Sequence, residues 1–187
     1  MLYATDFHNA RVDVFDAQFH QVLRGAFRDP TLPAHYAPFG IQELGGHIFV
    51  TYALQDADAE DELSGAGRGF VDMFSTDGTL LGRVASHGAL NAPWGLAWAP
   101  TDFGRFSGDL LVGNFGDGRI HAFAWNGSAF SHDGVLRKPG GAPVWIDGLW
   151  AIAFGNDGPA GATNALFFTA GPQDESHGLF GRIDAKH

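Results

Sequence analysis

The sequence has no cysteine, few basic residues and no long apolar run. Without cysteine, the 187-residue chain cannot form a disulfide bond, a thiolate zinc site or a cysteine nucleophile. Eleven lysines and arginines against 21 acids give a formal net charge of −10, which disfavours nucleic acid and anionic membranes as partners. No stretch approaches about 18 consecutive apolar residues, so we predict no membrane span.

Several features of exported proteins and enzymes are also missing. The start of the chain, "MLYATDFHNA", has neither the basic region nor the apolar region of a signal peptide. The nine histidines include no His-x-His and no His-Glu-x-x-His pattern. There is no nucleophile elbow, no Walker A loop and no dinucleotide fingerprint. The sequence therefore names no reaction.

Glycine and aromatic residues are abundant instead. The chain has 27 glycines, 17 phenylalanines and 5 tryptophans, and 45% of its residues are hydrophobic against 17% charged. Many turns combined with large aromatic side chains indicate short strands packed as sheets. The length fits one globular domain, which we predict over residues 1–187.

One hairpin pattern recurs along the chain. "LLVGNFGDGRIHAF" (110–123) has a near copy in "LYATDFHNARVDVF" (2–15) and a looser one in "ALFFTAGPQDESHGLF" (165–180). With the flanking apolar runs, each unit comprises up to four short strands, and the fourth strand of the third unit is expected at 134–138. The units lie roughly at 1–29, 37–86, 92–138 and 147–184.

The repeat predicts an all-β fold. Four antiparallel strands repeated at this period are typical of β-propeller blades. The first unit lacks its first strand and the last lacks its fourth, so we predict a partial β-propeller of about three and a half blades, half of a ring. A β-sandwich with the same number of strands is the alternative. Equivalent phenylalanines mark the third strand at intervals of 59, 49 and 57 residues: Phe15, Phe74, Phe123 and Phe180.

An open arc of blades leaves an apolar face uncovered at each end. Exposed faces of that size favour association. We therefore expect either a piece of a longer protein or a homo-oligomer, most simply a two-fold dimer that completes the propeller. Head-to-tail stacking into filaments is the other way to cover the faces.

Several long stretches resemble a family of uncharacterised, exported bacterial proteins. They include "LYATDFHNARVDVFD", "GRGFVDMFSTDGTLLGRVAS" and "APWGLAWAPTDFGRFSGDLLVGNFGDGRIHAF". That family is predicted to form six-bladed β-propellers, and its members often end in a PEP-CTERM sorting signal. The resemblance covers the C-terminal half of such proteins and implies an extracellular or periplasmic location. It supplies no catalytic residue.

The loops expected on one face of the blades carry almost all of the excess negative charge. Such a rim favours cations or polyhydroxylated ligands. The only base in these loops is Arg68. The acids are Asp6, Asp29, Asp56, Asp58, Glu60, Asp61, Glu62, Asp117, Asp147, Asp174 and Glu175.

Two tryptophans enter the first strand of their units at corresponding positions. Their flat faces would stack on the rings of a glycan, and the alternative is that they are core aromatics between blades. Together with acids of the same face they form the predicted ligand-binding set. That set is Trp94, Trp150, Asp117, Asp147, Asp174 and Glu175.

The position that follows the second strand of a unit is a candidate for a divalent metal site, and the four units give four such positions. Asp6 and Asn114 carry the oxygen ligands that Ca²⁺ prefers, and the alternative is that they cap their hairpins by local hydrogen bonds. His8 and His177, each near an acid, are candidates for Zn²⁺ or for an acid/base pair. The four equivalent positions are Asp6, Tyr52, Asn114 and Ala170.

The run "DADAEDELSGAG" (56–67) begins like an EF-hand loop. It lacks the glycine at position 6, and Gly67 stands where a bidentate glutamate is needed. A loose surface Ca²⁺ site or a solvated acidic loop are the two interpretations.

These observations favour a secreted β-propeller module that binds a partner, a glycan or a cation through its acidic face. The alternative is a metal-dependent hydrolase resembling the lactonases, with Asp6, Asn114 and Asp147, or His8 and His177, around the central channel. Its cofactor would be Ca²⁺ or Zn²⁺.

Overall fold

The computed structural model describes residues 1–185 and consists of 14 β-strands in four antiparallel sheets. The only helical element in this range is one 3-10 turn, Gly104–Phe106, so the prediction of an all-β protein is confirmed. No helix among these residues has the length and apolar content needed to cross a bilayer. The chain divides into two compact units, Met1–Pro93 (unit 1) and Trp94–His187 (unit 2).

Unit 1 contains one three-stranded and one four-stranded sheet. Their orders are β1-β2-β3 and β4-β5-β6-β7, so every strand pairs with its neighbour in sequence. The β6–β7 hairpin turns at Asp77–Gly78, where the Ser75 amide donates to the Thr79 carbonyl. The strands are β1 (Leu2–Asp6), β2 (Arg11–Phe15), β3 (Gln21–Val22), β4 (Tyr36–Leu44), β5 (His47–Leu54), β6 (Phe70–Phe74) and β7 (Leu80–Ser86).

The core of unit 1 lies between its two sheets. β2 alternates buried valines, Val12 and Val14, with partly exposed residues, as a strand with one face in the core must. Ile48 and Val50 of β5 and Phe74 of β6 are almost completely buried in the same cluster. β1 and β2 both contact β4, so this apolar layer joins the two sheets.

Unit 2 repeats this organisation in the order four strands, then three. The sheet orders are β8-β9-β10-β11 and β12-β13-β14. Its core includes Leu111, Ile120, Leu149 and Leu166, all completely buried. The strands are β8 (Pro93–Trp98), β9 (Leu110–Asn114), β10 (Ile120–Trp125), β11 (Phe130–Val135), β12 (Leu149–Phe154), β13 (Ala165–Ala170) and β14 (Leu179–Asp184).

The two sheets of unit 2 approach closely at β8 and β12. A Cβ on Gly95 would lie 2.6 Å from the carbonyl oxygen of Trp150, a distance that real side chains do not adopt. Glycine is therefore required at this position for the sheets to pack as they do.

The fourth strand of the third sheet begins earlier than the sequence predicts. β11 spans Phe130–Val135 instead of 134–138. The side-chain oxygen of Asn126 accepts hydrogen bonds from the amides of Ser128 and Ala129, each at 3.0 Å. Because this local bonding closes the turn directly after β10, pairing starts at Phe130.

The same irregularity in strand pairing occurs in two of the sheets. β4 and β12 each shift register against their neighbour, at Pro38/Ile41 and at Leu149/Ile152. In both places a threonine hydroxyl on the second strand accepts an amide of the shifted segment, Thr51 from Gly40 and Thr169 from Ala151. The sequence repeat therefore extends to side-chain hydrogen bonding.

Candidate functional site

A cleft of about 790 Å³ opens in unit 1. Two of its sides are the β1–β2 hairpin with β3 and the connection from residue 23 to residue 35. The start of β4 and the end of β5 complete its lining. Ligand sites of proteins fall in this range of volumes. The polar residues that line it include Asp13, Gln21, Asp29, His35, Tyr36 and Tyr52; we call this the unit 1 cleft.

Tyr52 is the most deeply placed of these residues. It lies on β5 and is 2% exposed. Its hydroxyl has no hydrogen-bond partner of acceptable geometry among residues 1–185. Burial raises the pKa of Tyr52, and the nearby carboxylates of Asp72 and Asp29 raise it further, so the hydroxyl is protonated and available as a donor.

A buried ionic cluster adjoins the cleft through Asp29, which lines it. Arg83 of β7 hydrogen bonds to Asp72 through Nε and to Asp29 through Nη2. The side chains of Asp72 and Asp29 are 0% and 2% exposed. One guanidinium therefore serves two carboxylates, and the Asp72 Oδ2 atom has no partner among the described residues.

The two carboxylates of this cluster differ in their environment. Burial raises the pKa of Asp72 to about 7 against the attraction of Arg83. Burial acts in the same direction on Asp29, but hydrogen bonds from Thr31 and Arg83 outweigh it and lower its pKa. Both the amide and the hydroxyl of Thr31 donate to Asp29 Oδ1 at 2.7 Å. Asp29 is therefore the ionised member that the cleft presents.

A second polar pair forms another wall of the cleft. Gln21 Nε2 donates to Asp13 Oδ1 at 2.6 Å. The same carboxylate pairs with Arg11, whose Nε lies 3.0 Å from Asp13 Oδ1. These contacts fix an amide, a carboxylate and a guanidinium side by side.

The irregular connection between β3 and β4 is anchored at one buried aromatic residue. Phe27 is 4% exposed and its amide donates to the Gly78 carbonyl at 2.9 Å. Its ring contacts Tyr3 and Phe74. Further along, Tyr36 meets Phe70 edge to face at 4.7 Å. The connection therefore holds a fixed course over the cleft although it has no regular structure.

The predicted metal ligands of unit 1 lie in the β1–β2 turn, beside the cleft. Asp6 accepts a hydrogen bond from the Asn9 amide at 3.1 Å and pairs with Arg11 at 3.0 Å. Burial opposes ionisation of Asp6, but Asn9 and Arg11 together lower its pKa. His8 Nδ1 lies 3.2 Å from the Ala59 carbonyl. Asp6 thus caps its hairpin, as the capping alternative requires.

The acidic run after β5 folds back on itself. The Asp56 carboxylate accepts the amides of Glu60 and Asp61 at 2.9 and 3.4 Å. Next to it, the Gln55 side chain donates to the Phe7 carbonyl at 2.6 Å and ties the loop to the β1–β2 turn. One of its carboxylates is therefore committed to holding the turn.

In unit 2, Asn114 and Asp117 meet in the β9–β10 turn. Asn114 Nδ2 donates to Asp117 Oδ1 at 3.1 Å, and the Asn114 amide donates to the Arg119 carbonyl at 2.8 Å. This is again the geometry of hairpin capping.

The β13–β14 loop brings four other predicted residues together. Asp147 Oδ2 accepts the Gln173 amide at 3.0 Å, which places Asp147 beside the loop that carries Asp174, Glu175 and His177. Gln173, Asp174 and Glu175 all have left-handed backbones, with φ of 57°, 50° and 61°. His177 Nδ1 lies 2.9 Å from the hydroxyl of Ser176. Asp6 and His8 belong to unit 1, whereas these residues belong to unit 2.

Trp94 and Trp150 lie on β8 and β12 and contact each other. Their rings meet edge to face at 5.4 Å, and Trp150 also contacts Phe115 at 4.5 Å. Both tryptophans are partly buried. They therefore form part of an aromatic cluster within unit 2.

A histidine pair on β10 and β11 is absent from the sequence predictions. His121 Nδ1 and His132 Nε2 lie 3.0 Å apart. Burial, and then the neighbouring His132, lower the pKa of His121 to about 4, so it is neutral at physiological pH. Within residues 1–185, no three histidine, aspartate or glutamate side chains form a cluster able to hold a metal ion.

Sequence reasoning found only part of the unit 1 cleft. It singled out Tyr52 as a position that faces inward and Asp29 as an acid of the loop face. It missed Asp13, Gln21 and Arg83, since nothing in their spacing connects them. The one available signal was the alternation of β2, which places Asp13 on the face opposite its buried valines.

Three uncharacterised proteins of Acanthamoeba polyphaga mimivirus are similar to this chain. The first is 37% identical over 189 residues, covering 98% of this chain and 45% of its own. The second is 33% identical over 191 residues, with coverages of 97% and 48%. The third is 34% identical over 157 residues, with coverages of 81% and 29%. The chain thus spans less than half the length of each of these relatives, and no family model matches it.

These findings correct the resemblance inferred from the sequence. The relatives are uncharacterised viral proteins, not exported bacterial proteins with PEP-CTERM signals, so the predicted family is wrong. The stretches behind that inference consist largely of the glycine, aspartate and aromatic residues that any repeat of short hairpins requires. They therefore indicate an architecture and not a source. The expected extracellular or periplasmic location loses its support with the family.

Proposed function

We propose that this protein is a binding module whose unit 1 cleft recognises a polyhydroxylated ligand, a saccharide. The observation that carries the proposal is Tyr52, which lines the cleft and whose buried hydroxyl has no hydrogen-bond partner of acceptable geometry within residues 1–185. A buried polar group left unpaired costs about 1–3 kcal/mol. A ligand hydroxyl that accepts from Tyr52 would recover this energy, so binding is favoured at this position.

The other groups in the cleft support the same class of ligand. A sugar presents several hydroxyls that each donate and accept, and the cleft offers both kinds of partner. Asp13 supplies a carboxylate acceptor, and the Gln21 amide supplies an acceptor and a donor. Tyr36 adds an aromatic ring, whose face suits the C–H side of a pyranose.

We also propose that the four sheets are consecutive blades of a β-propeller. Each sheet is built from strands in sequence order, and the threonine-bridged register shift recurs in two of them. The first and last sheets each have three strands instead of four. The relatives are more than twice as long as this chain, a length that accommodates further blades. For this chain alone, a second copy would supply the missing blades.

We prefer binding to metal-dependent hydrolysis as the function of this protein. Of the residues named for that alternative, Asp6 and Asn114 hold their own turns through hydrogen bonds, and Asp147 accepts the Gln173 amide of the β13–β14 loop. The acidic loops remain a second proposed surface, for a cation or a basic partner, because of their charge.

Titration of defined oligosaccharides against the ¹⁵N-labelled full chain tests the saccharide proposal. Suitable probes are cellotriose, chitotriose, galactotriose and trigalacturonate. We expect amide shifts from at least one probe in residues 9–38, and an affinity about tenfold weaker in Tyr52→Phe, which loses one hydrogen bond.

Tyr3→Phe is the matched control, because Tyr3 donates to the Thr76 carbonyl at 2.8 Å and does not line the cleft. It should bind like the unmodified chain. The proposal is wrong if no probe shifts the cleft amides, or if Tyr52→Phe and Tyr3→Phe bind equally well.

A further inference from the structure

We infer that the ligand of the unit 1 cleft carries an oxyanion, held by Arg24 and Arg28. This inference rests on the proposed function and adds the chemical class of the saccharide, an acidic sugar. It runs against the overall charge of the chain, which is strongly negative.

The first argument is the contrast among the five arginines of unit 1. Arg11 pairs with Asp6 and Asp13, Arg83 pairs with Asp29 and Asp72, and Arg68 donates to the Ser64 carbonyl. Among the described residues, Arg24 and Arg28 form no ion pair and no side-chain hydrogen bond. They are the two that remain, and both line the cleft.

The lack of ion pairs at Arg24 and Arg28 is unexpected, because unit 1 contains twelve acids and no lysine. Most carboxylates in such a unit lack a basic partner, so a guanidinium is easily paired wherever it points to the surface. Both unpaired guanidiniums belong instead to the same cleft. This placement fits a site whose anionic partner arrives from solution.

The local geometry keeps the two arginines together. They flank a tight turn in which the Ala26 amide donates to the Leu23 carbonyl at 3.1 Å. Gly25, at the turn, has a φ of +81°. A Cβ there would lie 3.9 Å from Nε and Nη2 of Arg28, so the Arg28 guanidinium lies beside the residue that follows Arg24.

The charged residues of the cleft also favour an anionic ligand. Arg11 contacts Asp6 and Asp13, and Asp29 contacts Arg83, so these groups already have ion-pair partners. Among the charged residues that line the cleft, the arginines Arg11, Arg24 and Arg28 outnumber the aspartates Asp13 and Asp29, which gives a net charge of +1 next to the donors and acceptors for sugar hydroxyls. Guanidinium groups bind carboxylates, sulfates and phosphates through paired N–H donors.

The test compares saccharides of one sugar type with and without an anionic substituent. Calorimetric titrations of the full chain would use galactotriose, trigalacturonate and a sulfated galacto-oligosaccharide. We expect an acidic probe to bind at least tenfold more tightly than galactotriose at low salt, and this preference to fall as NaCl is raised. The tighter of the two acidic probes identifies the oxyanion.

Arg24→Gln/Arg28→Gln should abolish the preference, so that acidic probes bind no more tightly than galactotriose. Arg182→Gln is the control, since Arg182 is an exposed arginine of unit 2 paired with Asp184. Equal binding of charged and neutral probes overturns the inference but leaves the saccharide proposal intact, as does unchanged acidic binding in the double variant. If no saccharide binds the unmodified chain, the proposed function itself fails.

Discussion

Asp72 is a completely buried carboxylate that shares Arg83 with Asp29. Burial of an ionised group is unfavourable unless its partners compensate, and here one guanidinium faces two carboxylates. The outcome is that Asp29 is held ionised while Asp72 titrates near neutrality. The stability of unit 1 should therefore depend on pH in a range where most carboxylates are silent.

We predict that unit 1 loses stability as the pH rises from about 4 to 7. In this window folded Asp72, with a pKa of about 7, holds a proton that the unfolded chain, with a pKa of 3.8, has released. Each unit of pKa difference corresponds to about 1.4 kcal/mol, so the loss is about 4 kcal/mol at most. Hydrogen exchange at β5 and β6, corrected for intrinsic rates, measures it.

Asp72→Asn should flatten this pH dependence, whatever its effect on stability at one pH. Asp77→Asn is the control, because Asp77 is exposed and hydrogen bonds from Ser75 and Thr79 lower its pKa below the window. A slope that persists in Asp72→Asn would show that another group causes it.

At the scale of single elements, the hairpin turns decide where strands begin and end. Gly118 closes the β9–β10 turn with a φ of +64°, and its carbonyl accepts the Ile146 amide at 3.0 Å. Gly127 occupies the β10–β11 turn with a φ of +96°. Both need a left-handed backbone, but only Gly118 is also pressed against another segment.

We predict that Gly118→Ala destabilises unit 2 by more than about 2 kcal/mol and Gly127→Ala by about 1 kcal/mol. A Cβ at Gly118 would lie 2.1 Å from the Ile146 carbonyl oxygen, whereas a Cβ at Gly127 would have no atom of the described residues within 4 Å. All five tryptophans belong to unit 2, so urea unfolding followed by their fluorescence reports on it. Equal losses in the two variants would mean that backbone strain alone accounts for the effect.

At the scale of the whole molecule, the last sheet of unit 2 has three strands and ends at an edge strand. β14 is the last strand of the order β12-β13-β14. It carries Leu179 and Phe180, which are 46% and 70% exposed. Exposed apolar residues on an edge strand favour pairing with another chain.

We predict a dimer in solution, with twice the chain mass of 20.0 kDa by light scattering. Leu179→Lys/Phe180→Lys should shift the dimer to the monomer, because charges on an edge strand oppose pairing. Trp125→Lys, at a 41% exposed residue of β10, which is not an edge strand of its sheet, should have no effect. A monomeric unmodified chain would contradict the prediction, and an open-ended mass would indicate filaments.

The sequence by itself determined the all-β class and the positions of most strands. Hairpin turns such as Asp77–Gly78 and Asp117–Gly118 depend on a few neighbouring residues, so local pattern suffices to find them. It could not fix the start of β11, because the Asn126 turn competes with the longer loop that the apolar pattern suggests. It also could not identify the source, since a repeat of hairpins demands similar residues in unrelated chains.

Only the tertiary structure decided where the candidate site lies. Asp13, Asp29, Tyr52 and Arg83 come from four separate segments, and their proximity depends on how the two sheets of unit 1 pack. Within residues 1–185, the burial that leaves the Tyr52 hydroxyl without a partner of acceptable geometry, and that raises the pKa of Asp72, is likewise a property of the packed unit. Sequence patterns encode which face of a strand is apolar, but not which distant side chains converge on that face.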